Sequence, residues 1–551
     1  MADEKFDAVV IGGGNKGLVT AMYLTKYGGL KTGIFEVRHE AGGGWSTEEV
    51  AAPGFTFNNH STAHCTYYYD LIWEDFPDFK EKGGELFPAN TGCIFIEDHS
   101  SMLFYHREED PTWEKTAASL AKFSKRDAEA MMQFGKMWDE YVYPEFHRWV
   151  WTPPVAGQPD PFFKNVLNRA PKGAIDPSWE NKSLMQICDE IFESVEVKSA
   201  IYRAAYTFWG GPAHTQGNGW PLLGISMSSG REVGYIRGGT HSSAHAAQKI
   251  VVENGGKIFT RSEVEKVVIE NGKATGIRLK DGSVVEAKVI VSTLTPQQMC
   301  TKLIGEEHLP QNIIRKINAL TVNYSAGVWW DGWALHEPPK YTAAEQEPDI
   351  DKVVYISVMD KDPWCLSKEF WKRQLGKEWP EAPHIDCYPD CWVYSPPIGN
   401  DPAQAPPGKC MAGDELYTCA ADVFTEKEWN EFKKPHADHI LNVWSKFAPN
   451  MTWDNVIGYR IDSPWDITNR LRQTPANGCW NLLDIVGSQV GWYRPIMELS
   501  DHRTPIKGLY GTGSGWHPLG CGLAGGGYNC YQAISKDLGL RNPKDEKKRP
   551  Y

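Results

Sequence analysis

Close to the amino terminus, apolar positions run together before they begin to space out. Phe6-Asp7-Ala8-Val9-Val10-Ile11 is short, β-branched and apolar on both faces. That pattern predicts a strand of a parallel sheet covered on both sides. Leu18, Ala21, Met22 and Leu24 then recur at helical spacing until Gly28-Gly29, which predicts a helix stopped by glycine. A second apolar run from Thr32 to Val37 predicts another buried strand. Strand, helix and strand in this order make a βαβ unit.

Later stretches repeat these signals. Arg237-Gly238-Gly239-Thr240 opens a helical pattern through Val251, stopped by Asn254-Gly255-Gly256. Short strands are predicted at Lys257–Thr260, Val264–Ile269 and Thr275–Leu279, with a hairpin signal at Asp281-Gly282 and a further buried strand over Ala287–Thr293. Near the carboxyl end, a helix is expected from about Tyr528 to Leu538. A Pro-rich stretch between Pro338 and Pro407 reads as irregular, a lid or a partner surface.

The turn between the first strand and helix is Gly12-Gly13-Gly14-Asn15-Lys16-Gly17, which fits G-x-G-x-x-G. Gly12 permits the tight turn, Gly14 lets the backbone approach a pyrophosphate, and Gly17 lets helix and strand pack closely. Phosphates then meet free N–H groups at the positive end of the helix. Glu36, 19 residues beyond Gly17, is placed to accept hydrogen bonds from ribose hydroxyls. Strand, helix and acid together predict a dinucleotide site, and the motif alone leaves NAD and FAD both open.

Composition narrows the class. At 551 residues the chain exceeds a single small core, and 41% hydrophobic with 23% charged residues excludes disorder. A net charge of −13 argues against nucleic acid. The 23 Trp and 23 Tyr supply flat amphipathic surface for a large core or an apolar substrate cavity. The amino-terminal residues lack the pattern of a secretory signal, and no apolar run is long enough for a membrane span. A cytoplasmic location with mostly reduced thiols among the 12 cysteines is therefore expected. Surface attachment to a membrane and homo- or hetero-oligomerisation stay open.

Beyond Glu36 the chain reads Val37-Arg38-His39-Glu40-Ala41-Gly42-Gly43-Gly44-Trp45, then Gly54-Phe55-Thr56-Phe57. Gly508 to Pro518, a strand and a Gly513-Ser514-Gly515 turn running into His517-Pro518, is followed by Gly520 to Gly527 and the last helix. These blocks, with the Arg237-Gly238-Gly239 segment between them, resemble the phytoene desaturase-like branch of the flavin amine oxidase superfamily. The matching blocks cover roughly a third of the chain. Where many members have Arg after the paired glycines, this chain has Trp45.

The resemblance implies an α/β fold: a Rossmann-type FAD-binding domain with an interleaved α+β substrate domain. The expected FAD domain is discontinuous, residues 1–80 with 230–300 and 500–545, and 81–229 with 301–499 form the substrate domain. Implied FAD contacts are Gly12, Gly14, Asn15, Lys16, Gly17, Glu36, Val37, Gly43, Gly44, Trp45, Val264, Gly513, Ser514, Leu523 and Ala524. The helix after Ala524 is expected to aim its positive end at the flavin, where reduction places negative charge.

The implied reaction is dehydrogenation or desaturation of a hydrophobic, isoprenoid-like molecule, with the electron acceptor unspecified. Redox-neutral double-bond isomerisation, amine oxidation and a non-catalytic prenyl carrier are the alternatives. Candidate polar catalytic residues are His517, inside the closing motif, and His60 and His64, after the Gly-Phe-x-Phe segment. Cys387 and Cys391, with His384 and Asp386 beside them, lack the two tidy ligand pairs of structural zinc, and Cys365, Cys410 and Cys419 are irregularly spaced. Free thiols and no metal are expected.

Overall fold

A computed structural model describes residues 5–88, 91–96, 98–209, 213–322, 327–365, 367–368, 390–394, 401, 403–520 and 522–550. The amino-terminal unit forms as its pattern predicts. Strand β1 (Ala8–Ile11) leads into helix α1 (Asn15–Lys26) and strand β2 (Thr32–Phe35). They enter a five-stranded parallel sheet in the order Lys257–Phe259, β2, β1, Val289–Ser292, Leu509–Gly511.

Both faces of this sheet are covered, which explains the unbroken apolar run of β1. Ala8 and Val10 face a core shared with α1 and with helices His241–Glu253 and Gly525–Leu538. Val9 and Ile11 face the other way, toward Val267, Ile277 and Val285 of a three-stranded antiparallel sheet. Tyr23 of α1 stacks on Tyr531 at 5.4 Å and meets Tyr528 edge-on at 5.3 Å, joining the first and last helices.

A second, seven-stranded sheet carries the other half of the molecule. Its order is Val456–Asp462, Gly327–Leu335, Cys410–Thr418, Asp390–Tyr394, Tyr355–Met359, Thr91–Ile96, Ser101–Tyr105. All pairs are antiparallel except Tyr355–Met359 with Thr91–Ile96. The stretch from Pro338 to Pro407, expected to be irregular, thus contributes two strands to a sheet. Its proline content hid them, because the prolines flank the strands and do not interrupt them.

Alternation along Gly327–Leu335 sorts its tryptophans. Trp329 and Trp333 pack under helix Glu426–Trp444, while Val328, Trp330 and Ala334 face Phe57 and Tyr417. Helices between residues 114 and 232 pack into the same core as α1. The expected boundary at 229/230 falls inside helix Gly219–Glu232. Among the described residues, no helix is long and apolar enough to cross a membrane.

Candidate active site

The two glycine-rich ends of the chain meet in one cleft of about 460 Å³. Gly12, Gly14, Asn15 and Lys16 form its floor at the start of α1, and Glu36, Val37 and Arg38 follow from the end of β2. Gly43, Gly44, Trp45 and Val264 line it further along, and Gly513, Ser514 and Gly522 close it from the carboxyl end.

Local geometry explains the glycines. Gly12 has φ +90°, and a methyl there would lie 2.2 Å from Thr293 Oγ1. A methyl on Gly17 would lie 2.5 Å from the Gly12 carbonyl oxygen, so this glycine serves packing and does not reach the cleft. Gly14 and Gly44 differ in kind. A methyl on either meets no atom of the described residues within 4 Å, because both line the open cleft.

Glu36 is buried, and its Oε2 accepts from the Gly13 N–H at 2.7 Å while Oε1 accepts from the Arg38 N–H at 2.8 Å. Its carboxylate therefore holds the phosphate turn in shape while still lining the cleft. Lys16 is 1% exposed; its ammonium donates to Gly520 O at 3.3 Å and lies 3.4 Å from Ser514 Oγ. It brings a positive charge to the cleft wall. Trp45 is buried and stacks on Tyr69 at 5.7 Å.

The fit to a flavin dinucleotide rests on these features. Phosphates need open backbone at Gly14 and Gly44, the positive end of a helix, and a nearby cation. All three are present, in the two glycines that line the cleft, the start of α1 at Asn15, and Lys16 on the cleft wall. Leu523 and Ala524 are buried behind Gly522 and do not line the cleft, and Ala524 is the N-cap of helix Gly525–Leu538.

The three histidines separate. His517 is fully buried away from the cleft, with Nε2 2.9 Å from the Trp149 carbonyl oxygen and its ring edge-on to Trp149. Burial and the neighbouring His502 push its pKa down to about 3. The expectation of a proton donor near neutral pH is corrected by this placement, which instead ties the closing motif to helix Tyr143–Val150. His64 is likewise buried and lies behind the cleft lining. Its Nε2 lies 2.7 Å from Ser61 Oγ and its Nδ1 2.5 Å from Tyr69 Oη. Burial and the Lys16 charge hold its pKa at about 3. Only His60 of the three lines the cleft.

Other cleft residues come from the middle of the chain, where pattern reading had nothing to point with. Trp330, Glu415, Arg470, Gln473 and Trp480 form the far wall. Trp330 and Glu415 are register partners on adjacent strands, and Trp330 Nε1 donates to the Asn58 carbonyl at 2.6 Å. Trp480 meets Trp330 edge-on at 5.3 Å. Arg470 pairs through both terminal nitrogens with Glu48, which Arg38 also approaches. Arg494, fully buried, carries no sequence signal either. Its guanidinium donates to the carbonyls of Ser514 (2.7 Å), Gln489 (2.8 Å) and Asn481 (2.6 Å), pinning the closing turn to the neighbouring loops.

One residue along from Trp330 and Glu415, on the opposite face, Asp331 and Asp414 oppose each other beneath helix Glu426–Trp444. His436 Nε2 lies 2.7 Å from Asp331 Oδ2, and Trp333 Nε1 donates to Asp414 Oδ2 at 2.7 Å. This buried cluster is separate from the cleft. Cys365, Cys410 and Cys419 enter no disulfide among the described residues. His384, Asp386 and Cys387 lie outside the described residues, and Cys391 sits on strand Asp390–Tyr394.

Comparison with known proteins agrees with this geometry. The family described as flavin containing amine oxidoreductase matches residues 17–349. A limonene dehydrogenase polypeptide of Castellaniella defragrans is 27% identical, covering 97% of this chain and 95% of its own. A lycopene-forming phytoene desaturase of Pseudescherichia vulneris is 22% identical, covering 94% of this chain and 96% of its own. Among solved structures, an oxidoreductase from Methanosarcina mazei aligns with a TM-score of 0.57 at 15% identity, over 96% of this chain and 99% of its own. Putrescine oxidase bound to putrescine aligns with a TM-score of 0.59 at 13% identity, over 97% and 99% of the two chains. The chain belongs to the flavin containing amine oxidoreductase family, in its phytoene desaturase-like branch, and is an FAD-dependent oxidoreductase.

Proposed function

We propose that the enzyme dehydrogenates an apolar, isoprenoid-like molecule held against the wall formed by Trp330 and Trp480. That aromatic wall carries the reading, because it shares one cleft with Gly513, Ser514 and Gly522 of the flavin-closing segment. Phe57 and Tyr417 back it, with ring centroids 6.3 Å from Trp330 and 5.9 Å from Trp480. Flat rings supply apolar contact area and exclude water. The similarity to a limonene dehydrogenase and to phytoene desaturases, proteins named for terpenoid hydrocarbons, supports the same class.

On this reading Gly12, Gly14, Asn15, Lys16, Glu36, Val37, Gly43, Gly44, Trp45, Val264, Gly513 and Ser514 hold FAD, and Leu523 and Ala524 support it from behind. Bound FAD supplies a two-electron acceptor for hydride from a substrate C–H. The chain positions that carbon, excludes water and takes up the proton released from the neighbouring carbon. Glu415, the carboxylate on the aromatic wall, is assigned that proton. His64 and His517 stay neutral and act by holding the walls in place.

Anaerobic mixing of the flavin-loaded enzyme with terpenoid candidates tests the reading. Bleaching of the flavin absorbance with a product two hydrogens lighter is expected. Products isomeric with the substrate and no bleaching would overturn it in favour of isomerisation. Bleaching by amines alone would overturn it in favour of amine oxidation.

A further inference from the structure

His60 is 2% exposed and lines the cleft, yet neither ring nitrogen has a hydrogen-bond partner among the described residues. Of its chain neighbours, Asn59 Nδ2 and Thr62 Oγ1 likewise lack a partner among the described residues, whereas Asn58 and His64 are paired. Asn58 Oδ1 accepts from Thr47 Oγ1 at 2.7 Å and from the Thr240 N–H at 2.9 Å, and both nitrogens of His64 are engaged. Leaving a buried polar group unpaired costs about 1–3 kcal/mol. A histidine kept in this condition on a cleft wall is therefore matched to something that enters the cleft.

The charge state says what. Burial, together with the charges of Arg470, Arg38 and Arg460, holds His60 well below the ordinary histidine range. A neutral imidazole offers one N–H donor and one bare nitrogen acceptor. Hydroxyl oxygen pairs with either nitrogen, and carbonyl oxygen pairs with the donor. A bare hydrocarbon pairs with neither. An ammonium group would have to sit where arginine charges already oppose a cation.

We propose that His60 is a specificity residue that grips one uncharged oxygen function, hydroxyl or carbonyl, on an otherwise apolar substrate. The inference rests on the dehydrogenase reading above and narrows it from isoprenoid-like hydrocarbons to their oxygenated counterparts. His60 positions the molecule and takes no proton from it. Its energetic leverage comes from discrimination, since a site built to pair with an oxygen rejects the analogue that lacks it.

The test uses the flavin-loaded enzyme and matched pairs, limonene with perillyl alcohol and farnesene with farnesol. Dissociation constants come from perturbation of the flavin spectrum, and flavin reduction is followed anaerobically. In the wild type, the alcohol of each pair should bind ~2–10-fold more tightly than the hydrocarbon, the net value of one buried hydrogen bond between neutral partners. In His60→Ala the pair should come close to parity, mainly through weaker alcohol binding, with flavin content unchanged. His60→Gln, which keeps a donor and an acceptor, should restore part of the preference.

Equal binding of alcohol and hydrocarbon in the wild type overturns the proposal, as does a preference that survives His60→Ala. Loss of flavin from both His60 variants also overturns it, because His60 would then belong to the cofactor's own contacts. If no member of either pair binds or reduces the flavin, the dehydrogenase reading itself fails with it.

Discussion

Lys16 and Ser514 are 498 positions apart in sequence, yet Lys16 Nζ lies 3.4 Å from Ser514 Oγ on one wall of the flavin cleft. The first helix and the last turn thus complete a single site, with an ammonium between them. Lys16→Met should weaken FAD retention ~10-fold or more, the value of a charge-assisted contact. Lys16→Arg should keep part of it. Flavin absorbance relative to protein, after dialysis, reads the difference.

Gly14 and Gly17 belong to one motif but should fail in different ways. A methyl at Gly14 enters open cleft and meets no atom of the described residues within 4 Å. Gly14→Val should therefore leave a folded, near-colourless protein with a melting temperature within a few degrees of the flavin-free wild type. At Gly17 a methyl falls 2.5 Å from the Gly12 carbonyl oxygen, so Gly17→Val should lower the melting temperature and the soluble yield. Equal flavin loading in Gly14→Val and wild type would count against the cleft as the FAD site.

Arg494 acts through the turn it holds. Its guanidinium donates to the carbonyls of Ser514, Gln489 and Asn481 with no exposure to solvent. Arg494→Met removes the donors and leaves those buried acceptors unpaired, a loss on the order of 3 kcal/mol or more. A lower urea midpoint, accompanied by weaker flavin retention, is the expected result.

His64 and His517 set a limit at the acid side. Burial holds both at about 3, far below the ordinary value near 6.5 that they regain on unfolding. The unfolded chain therefore binds protons that the folded chain refuses. Stability is full above about pH 6.5 and falls as pH drops from there toward the folded-state values. Each histidine contributes up to ~1.4 kcal/mol per pH unit in that window. Urea midpoints between pH 7 and 4 should show a shallower slope in His517→Gln than in the wild type.

Asp331 and Asp414 have the opposite sign. Burial raises both carboxyls well above their usual range, and the Asp331 charge raises Asp414 further. Here the folded state keeps protons that the unfolded chain gives up, so stability drains away as pH rises toward the raised values. Asp414→Asn keeps an acceptor for Trp333 Nε1 without the charge, and should flatten the fall in stability as pH rises above the ordinary Asp value of about 3.9. Asp414→Ala should cost ~2 kcal/mol at low pH, through the lost partner and the cavity, and less as pH rises. An Asn variant with the wild-type slope would show that other groups set the alkaline limit.

What the chain discloses directly is what short-range physics controls. The buried run before Gly12, the helical spacing after Gly17 and the acid at Glu36 each depend on neighbours within one βαβ unit, so their roles follow from order and spacing. The carboxyl-terminal glycine cluster is readable for the same reason, as a strand, a turn and a helix start. Gly17, Leu523 and Ala524 show the limit of this reading. Their spacing is right, but only packing decides which residues of a motif face the cleft and which stand behind it.

The substrate side was decided by tertiary structure alone. Trp330 and Glu415 become neighbours through cross-strand register over a long connection, and Arg470 and Trp480 join them from a third segment. No local pattern encodes such a meeting, because nearly every aromatic residue in this chain is equally fit to fill a core. The histidines make the same point. His60, His64 and His517 are alike as residue types, and what separates an unpaired side chain on a cleft wall from two structural ones is the partners that folding brings to each ring.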